Sequence, residues 1–92
     1  MLNAIVMIDC AVDSIPEVAQ AIADIPRVEE VYSVTGDVDL IALVRLRKYE
    51  ELAEVVSDSI AKVPGVKALK THIAFRTYSH GDLEEAFHLG LD

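Results

Sequence analysis

Leu40-Ile41-Ala42-Leu43-Val44, laid over Leu2-Asn3-Ala4-Ile5-Val6, opens an ungapped match between the two halves of the chain. Leu2, Ala4 and Val6 fall on Leu40, Ala42 and Val44; farther on, Ile22, Ala23, Pro26 and Val28 fall on Ile60, Ala61, Pro64 and Val66. Two prolines in register with their apolar flanks imply two copies of one supersecondary unit, each too small to bury its own apolar face.

Each copy reads as strand, helix, strand. Met1 to Ala11 is apolar and rich in β-branched residues. Ser14-Ile15-Pro16-Glu17 then carries the capping-box pattern, a serine followed three residues later by glutamate, with proline in the first turn. Ile15, Val18, Ala19, Ile22 and Ile25 form one helical stripe, and Pro26 ends it, because the residue before a proline avoids the helical region. Val28 to Thr35 reads as a second strand and Val38 to Arg47 as a third. Tyr49, Leu52, Val55, Val56, Ile60 and Val63 make a second stripe that stops at Pro64-Gly65, and Val66 to Tyr78 reads as a fourth strand.

The order βαββαβ with right-handed crossovers gives an α+β, ferredoxin-like fold: a four-stranded antiparallel sheet with both helices on one face. The other face is left bare, yet Ile5-Val6-Met7-Ile8 and Leu40-Ile41-Ala42-Leu43-Val44 are apolar at consecutive positions. Such runs belong to strands covered on both sides. Two sheets packed face to face, in a homodimer resembling an α/β barrel, would supply the missing cover.

Composition narrows the function classes. Ninety-two residues make one domain, and 52% hydrophobic residues exclude a disordered chain. Sixteen acids against eight bases, net charge −8, repel a phosphate backbone, so no direct nucleic-acid partner is expected. No apolar run approaches the roughly 20 residues that cross a bilayer, and no basic segment precedes an apolar leader, so a cytoplasmic protein without a membrane partner is expected. The single cysteine, Cys10, forms no internal disulfide or CxxC site and reads as a small core residue at the end of the first strand. His72, His80 and His88 fall on a strand, in a loop and on a tail, so no metal site is expected. Arg45, Lys67, Lys70 and Arg76 read as surface bases with acidic partners. Residues 1–78 form the domain; 79–92, with Gly81, Asp82 and apolar Leu83, Ala86, Phe87 and Leu89, read as a tail with a short helix.

One stretch brings a small residue, a hydroxyl and two carboxylates together: Val34-Thr35-Gly36-Asp37-Val38-Asp39. Gly36 permits positive φ and close backbone approach, and Asp37 and Asp39 share a side if the strand starts here. Exposed amides would hold a carboxylate and an aspartate an ammonium, which is what a free amino acid requires. The same residues also suit a plain hairpin turn. Acid–base catalysis by the two carboxylates lacks a neighbouring nucleophile or metal ligand.

These residues resemble the effector-binding (RAM) domain of the Lrp/AsnC, or feast/famine, regulators. The resemblance rests on Val34-Thr35-Gly36-Asp37-Val38-Asp39 before an apolar strand, on Pro64-Gly65-Val66 and on Thr71. It implies a non-enzymatic ligand-binding domain without cofactor. It further implies dimers formed through the sheets and assembled into rings, commonly octamers, with an amino acid or related small metabolite held between dimers. The implied ligand-binding residues are Thr35, Gly36, Asp37, Asp39 and Thr71. Many relatives carry a second threonine where this chain has Leu69. A first strand beginning at residue 2 leaves no helix-turn-helix ahead of it, so the chain resembles the stand-alone members, which modulate transcription indirectly. The alternative is a ligand-free interaction module that co-assembles with full-length Lrp/AsnC paralogues. An ACT-type domain shares the element order. A cofactor-free monooxygenase on a dimeric barrel shares the fold, but no histidine or acid is placed in an evidently apolar pocket to support one.

Overall fold

Strict alternation of burial along the two central strands sets the layers of the structure, a computed structural model in which residues 1–80 are described. In β1 (Leu2–Cys10), Ala4, Val6, Ile8 and Cys10 are buried; in β3 (Leu40–Leu46), Leu40, Ala42, Val44 and Leu46 are buried. These residues meet Val18 and Ile22 of α1 (Ile15–Ala23), together with Val55 and Ile60, in one core. With β2 (Val28–Ser33) and β4 (Val66–Ala74) the sheet is wholly antiparallel, in the order β2-β3-β1-β4. This is the ferredoxin-like α+β arrangement expected from the repeat. Matched positions occupy matched places: Ala4 and Ala42, Val6 and Val44, Ile22 and Ile60 are all essentially inaccessible.

Several boundaries differ from the sequence reading, each for a tertiary reason. β4 ends at Ala74 rather than Tyr78, because Ala74 pairs with Asn3 and β1 offers little more edge. Phe75 beyond it is 91% exposed. β2 stops at Ser33 and β3 starts at Leu40, where pairing with Ile8 begins. The capping box does not form. The chain enters α1 through a 3-10 turn (Val12–Ser14), and the Ser14 hydroxyl donates back to the Ala11 carbonyl at 3.3 Å instead of accepting from a helix amide. One of the two amides an N-cap serves belongs here to Pro16, which has no N–H.

The second helical segment is not a regular α-helix. It contains a π-helical turn (Ala53–Ser57) and a 3-10 turn (Ile60–Lys62). The Asp58 amide donates to the Ala53 carbonyl at 3.0 Å, and the Ser59 hydroxyl to the Glu54 carbonyl at 3.0 Å. Ser57-Asp58-Ser59 favours turns over helix interiors, and the wider π turn lets Val55 and Ile60, five positions apart, both reach the core. Tyr49, read as the first member of the stripe, is 62% exposed.

Two contacts close the helical layer. Gly65, at φ +100°, lets the Pro64-Gly65 turn approach α1 so closely that a Cβ there would sit 2.7 Å from Val18 Cγ2. Its carbonyl accepts from the Ala11 amide at 2.9 Å. At the opposite end Glu51 is nearly buried. Its carboxylate accepts from the Arg47 amide at 2.6 Å and pairs with the Arg27 guanidinium at 3.3 Å, tying the α1–β2 connection to the start of the second helical segment. Arg27 sits at φ +83°, a left-handed conformation uncommon outside glycine.

Candidate functional site

The turn between the halves projects from the end of the sheet. It is closed by the Val34 amide donating to the Asp39 carbonyl and the Asp39 amide donating to the Ile8 carbonyl, each at 3.1 Å. Thr35, Gly36 and Asp37 are exposed. Gly36 adopts φ +132°, with nothing within 4 Å of the position a Cβ would take. The turn thus presents open backbone, as expected from its glycine.

Asp39 behaves differently from its neighbours. It is partly buried, and its Oδ2 accepts from the Cys10 amide at 2.9 Å. One carboxylate oxygen therefore pins the turn to the end of β1. Cys10 beneath is 3% exposed, the core residue expected from sequence. Burial pushes its thiol pKa up, Asp39 and then Asp9 push it further, and Lys67 opposes them.

Thr71 lies on β4, paired with Val6 on the helix side of the sheet. It lines a groove of about 500 Å³ with Tyr49, Leu52, Ala53, Val56 and Ser57. No turn residue lines that groove, so a single chain does not bring Thr71 and Gly36 into one cavity. Leu69, one alternation earlier, is partly buried and packs on the core. Tyr49 and Ser57 were not singled out as site residues from the sequence. The available signal was Tyr49 itself, a large ring directly after Arg47-Lys48 at the weak end of an apolar stripe.

Other candidates fall into place around this site. His72 is exposed on β4 and pairs with Ile5, on the face opposite Thr71; His88 lies outside the described residues, as does most of the tail. Among the described residues no cluster of histidine, cysteine and carboxylate groups has metal-binding geometry. Arg45 pairs with Glu29 at 3.5 Å, both about half exposed, a surface pair worth little. No helix among the described residues is long and apolar enough to cross a membrane.

The family model of the Lrp/AsnC ligand binding domain matches residues 3–83. The HTH-type transcriptional regulator FL11 of Pyrococcus horikoshii is 33% identical over 75 residues, 82% of this chain and 49% of the relative. The chain thus spans about half the length of such curated relatives. Among solved structures, TTHA0845 from Thermus thermophilus is 45% identical with a TM-score of 0.83, covering 87% of this chain and 100% of that one. The transcriptional regulator NMB0573 of Neisseria meningitidis, solved as a complex with L-Met, shares the fold at a TM-score of 0.76 and 18% identity, over 86% of this chain and 53% of that one. The regulators matched are transcription factors rather than enzymes, and this chain belongs to the Lrp/AsnC ligand-binding domain family.

Proposed function

We propose that the chain is a non-enzymatic sensor. In this reading it acts in the cytoplasm, binds an amino acid or related small metabolite between dimers and modulates transcription indirectly. The observation that carries the reading is the pairing of family membership with an open glycine turn and an unfilled groove at Thr71 on the same chain. Because turn and groove are separate within one chain, a ligand touching both must bridge subunits. Such a ligand stabilises only the assembled state, so binding shifts assembly by mass action. Amides around Gly36 and the Thr35 hydroxyl suit the carboxylate, Asp37 the ammonium, and Thr71 with the apolar Leu52 and Val56 the side chain. Asp39 contributes through its second oxygen while the first holds the turn. The fold relative solved with L-Met gives the ligand class a precedent.

Leu69 favours a second reading, a ligand-free module that co-assembles with full-length paralogues. It places a hydrocarbon where many relatives offer a hydroxyl, and it packs into the core rather than toward the groove's polar rim. Native mass spectra of the chain, recorded with and without the twenty amino acids, separate the two. A higher oligomer, an octamer on the family pattern, that retains one amino acid is the expected result. An unchanged assembly with no added mass refutes the sensor and leaves the module.

A further inference from the structure

The sheet face turned away from the helices has a charge polarity that selects one way of packing against a second copy. Cross-strand register places its residues in rows. Glu30, Leu43, Ile5 and His72 form one row from β2 to β4; Tyr32, Ile41, Met7 and Lys70 form the next. The middle of each row is apolar. The β2 edge is acidic, with Glu30 and Glu29, and the β4 edge basic, with Lys70 and His72; all four are exposed. A concavity of about 540 Å³ on the acidic side is lined by Asn3, Ile5, Glu29, Glu30 and Leu43.

We infer that a second copy of this chain covers the face with its β4 edge over this chain's β2 edge, related by a two-fold axis running along the strands. A two-fold interface is self-complementary, so only two simple orientations are open to stacked sheets. An axis across the strands sets β4 on β4 and β2 on β2, bringing the basic edge onto the partner's basic edge and the acidic edge onto the partner's acidic edge. Like charges so placed oppose association. An axis along the strands leaves every row opposite itself but reversed. Glu30 then faces the partner's His72, Tyr32 the partner's Lys70 with its ring available to the ammonium, and Leu43 the partner's Ile5. The roughly 30° between stacked sheets moves the edges by about one residue, which keeps Glu30 between the partner's His72 and the partner's Lys70. The acidic concavity receives the basic edge. This orientation rests on a second copy covering the face, as in the function proposed above.

The test is a charge exchange in the full chain. Glu30→Lys alone and the double variant Lys70→Glu/His72→Glu alone each place like charges across both edges. Self-association measured by sedimentation should weaken about tenfold or more for each. Mixed in equal amounts, the two should recover wild-type association as particles that contain both masses. Folded variants that self-associate like wild type, or a mixture that stays dissociated, overturn the orientation. A monomeric wild type overturns the covered face itself, and with it the subunit-bridging sensor. If either variant loses its far-UV spectrum, Glu30→Gln and Lys70→Gln read the same edges, each expected to weaken association and flatten its salt dependence; no change in either overturns the inference.

Discussion

The carboxylate of Asp39 accepts a hydrogen bond from the backbone amide of Cys10 at 2.9 Å, across 29 positions of sequence. The contact joins the turn between the two halves to the end of the central strand β1, next to a core thiol. It also divides two carboxylates that look equivalent in sequence: Asp37 is exposed and Asp39 partly buried.

Replacing Asp39 by alanine leaves the Cys10 amide without its acceptor. A hydrogen bond to a charged group contributes about 1.5–3 kcal/mol, and solvent at this partly open position puts the expected loss near the lower end. Asp37→Ala, at an exposed turn position, should stay within about 0.5 kcal/mol. Urea denaturation of the two variants checks the contrast. Equal midpoints would mean that the Asp39 contact carries no net stability, and a ligand defect in Asp39→Ala has to be read against this structural role.

The fold was legible because the residues that decide it repeat. Ala4 with Ala42, Val6 with Val44 and Ile22 with Ile60 mark the central strands and both helical layers at one spacing, and all six are buried. What escaped the sequence was settled by partners distant along the chain. Ser14 has the right neighbours for a cap but is turned back to Ala11 by the 3-10 entry. β4 ends where β1 stops offering an edge, which no local preference encodes. The glycine turn was readable from Gly36 alone. That Thr71 would line a groove with Tyr49 and Ser57 depends on an irregular π turn, and that irregularity follows from fitting Val55 and Ile60 to one sheet.

Two glycines with positive φ should respond differently to alanine. At Gly36 the cost is backbone strain alone, about 1 kcal/mol, since the new methyl meets open space. At Gly65 strain is joined by a methyl 2.7 Å from Val18 Cγ2 and 3.0 Å from Ser14 Oγ. Overpacking adds about 1–3 kcal/mol, for a total near 2–4 kcal/mol. Thermal melts that show Gly65→Ala no less stable than Gly36→Ala would contradict this packing.

Glu51 makes stability pH-dependent on the acid side. The Arg47 amide holds its carboxyl below the ordinary glutamate value of 4.5; Arg27, the Lys48 amide and the Arg47 guanidinium add to this, while burial opposes it. A pKa depressed by folding means that the stabilisation is complete above the unfolded value and is lost as pH falls through the folded one. Wild type should therefore weaken progressively below about pH 4.5. Glu51→Gln should start less stable at neutral pH and show a flatter acid limb in denaturation series. Parallel acid limbs would remove Glu51 from this role.

Cys10 should be slow toward thiol reagents while the chain is folded. It is 3% exposed, and its pKa is raised first by burial and then by Asp39 and Asp9. Modification through transient opening should run about a hundredfold or more below the rate in denaturant. Asp39→Asn keeps a hydrogen-bond acceptor but removes the negative charge, so it should raise the native rate. Rapid labelling of native wild type would show that the end of β1 opens far more readily than its packing implies.

Thr71 is where the sensor reading meets a side chain whose loss need not disturb the fold. It is exposed on an edge strand and pairs with Val6, and valine would preserve its shape and β preference. Thr71→Val removes only the hydroxyl. If that hydroxyl pairs with a ligand group, its absence leaves the group unsatisfied at about 1–1.5 kcal/mol, close to a tenfold loss of affinity. The expected outcome is an unchanged melting temperature, with retention of the amino acid in native mass spectra shifted to about tenfold higher ligand concentration. Retention unchanged from wild type would move the ligand away from the groove beside Tyr49 and leave the turn around Gly36 as the remaining contact surface.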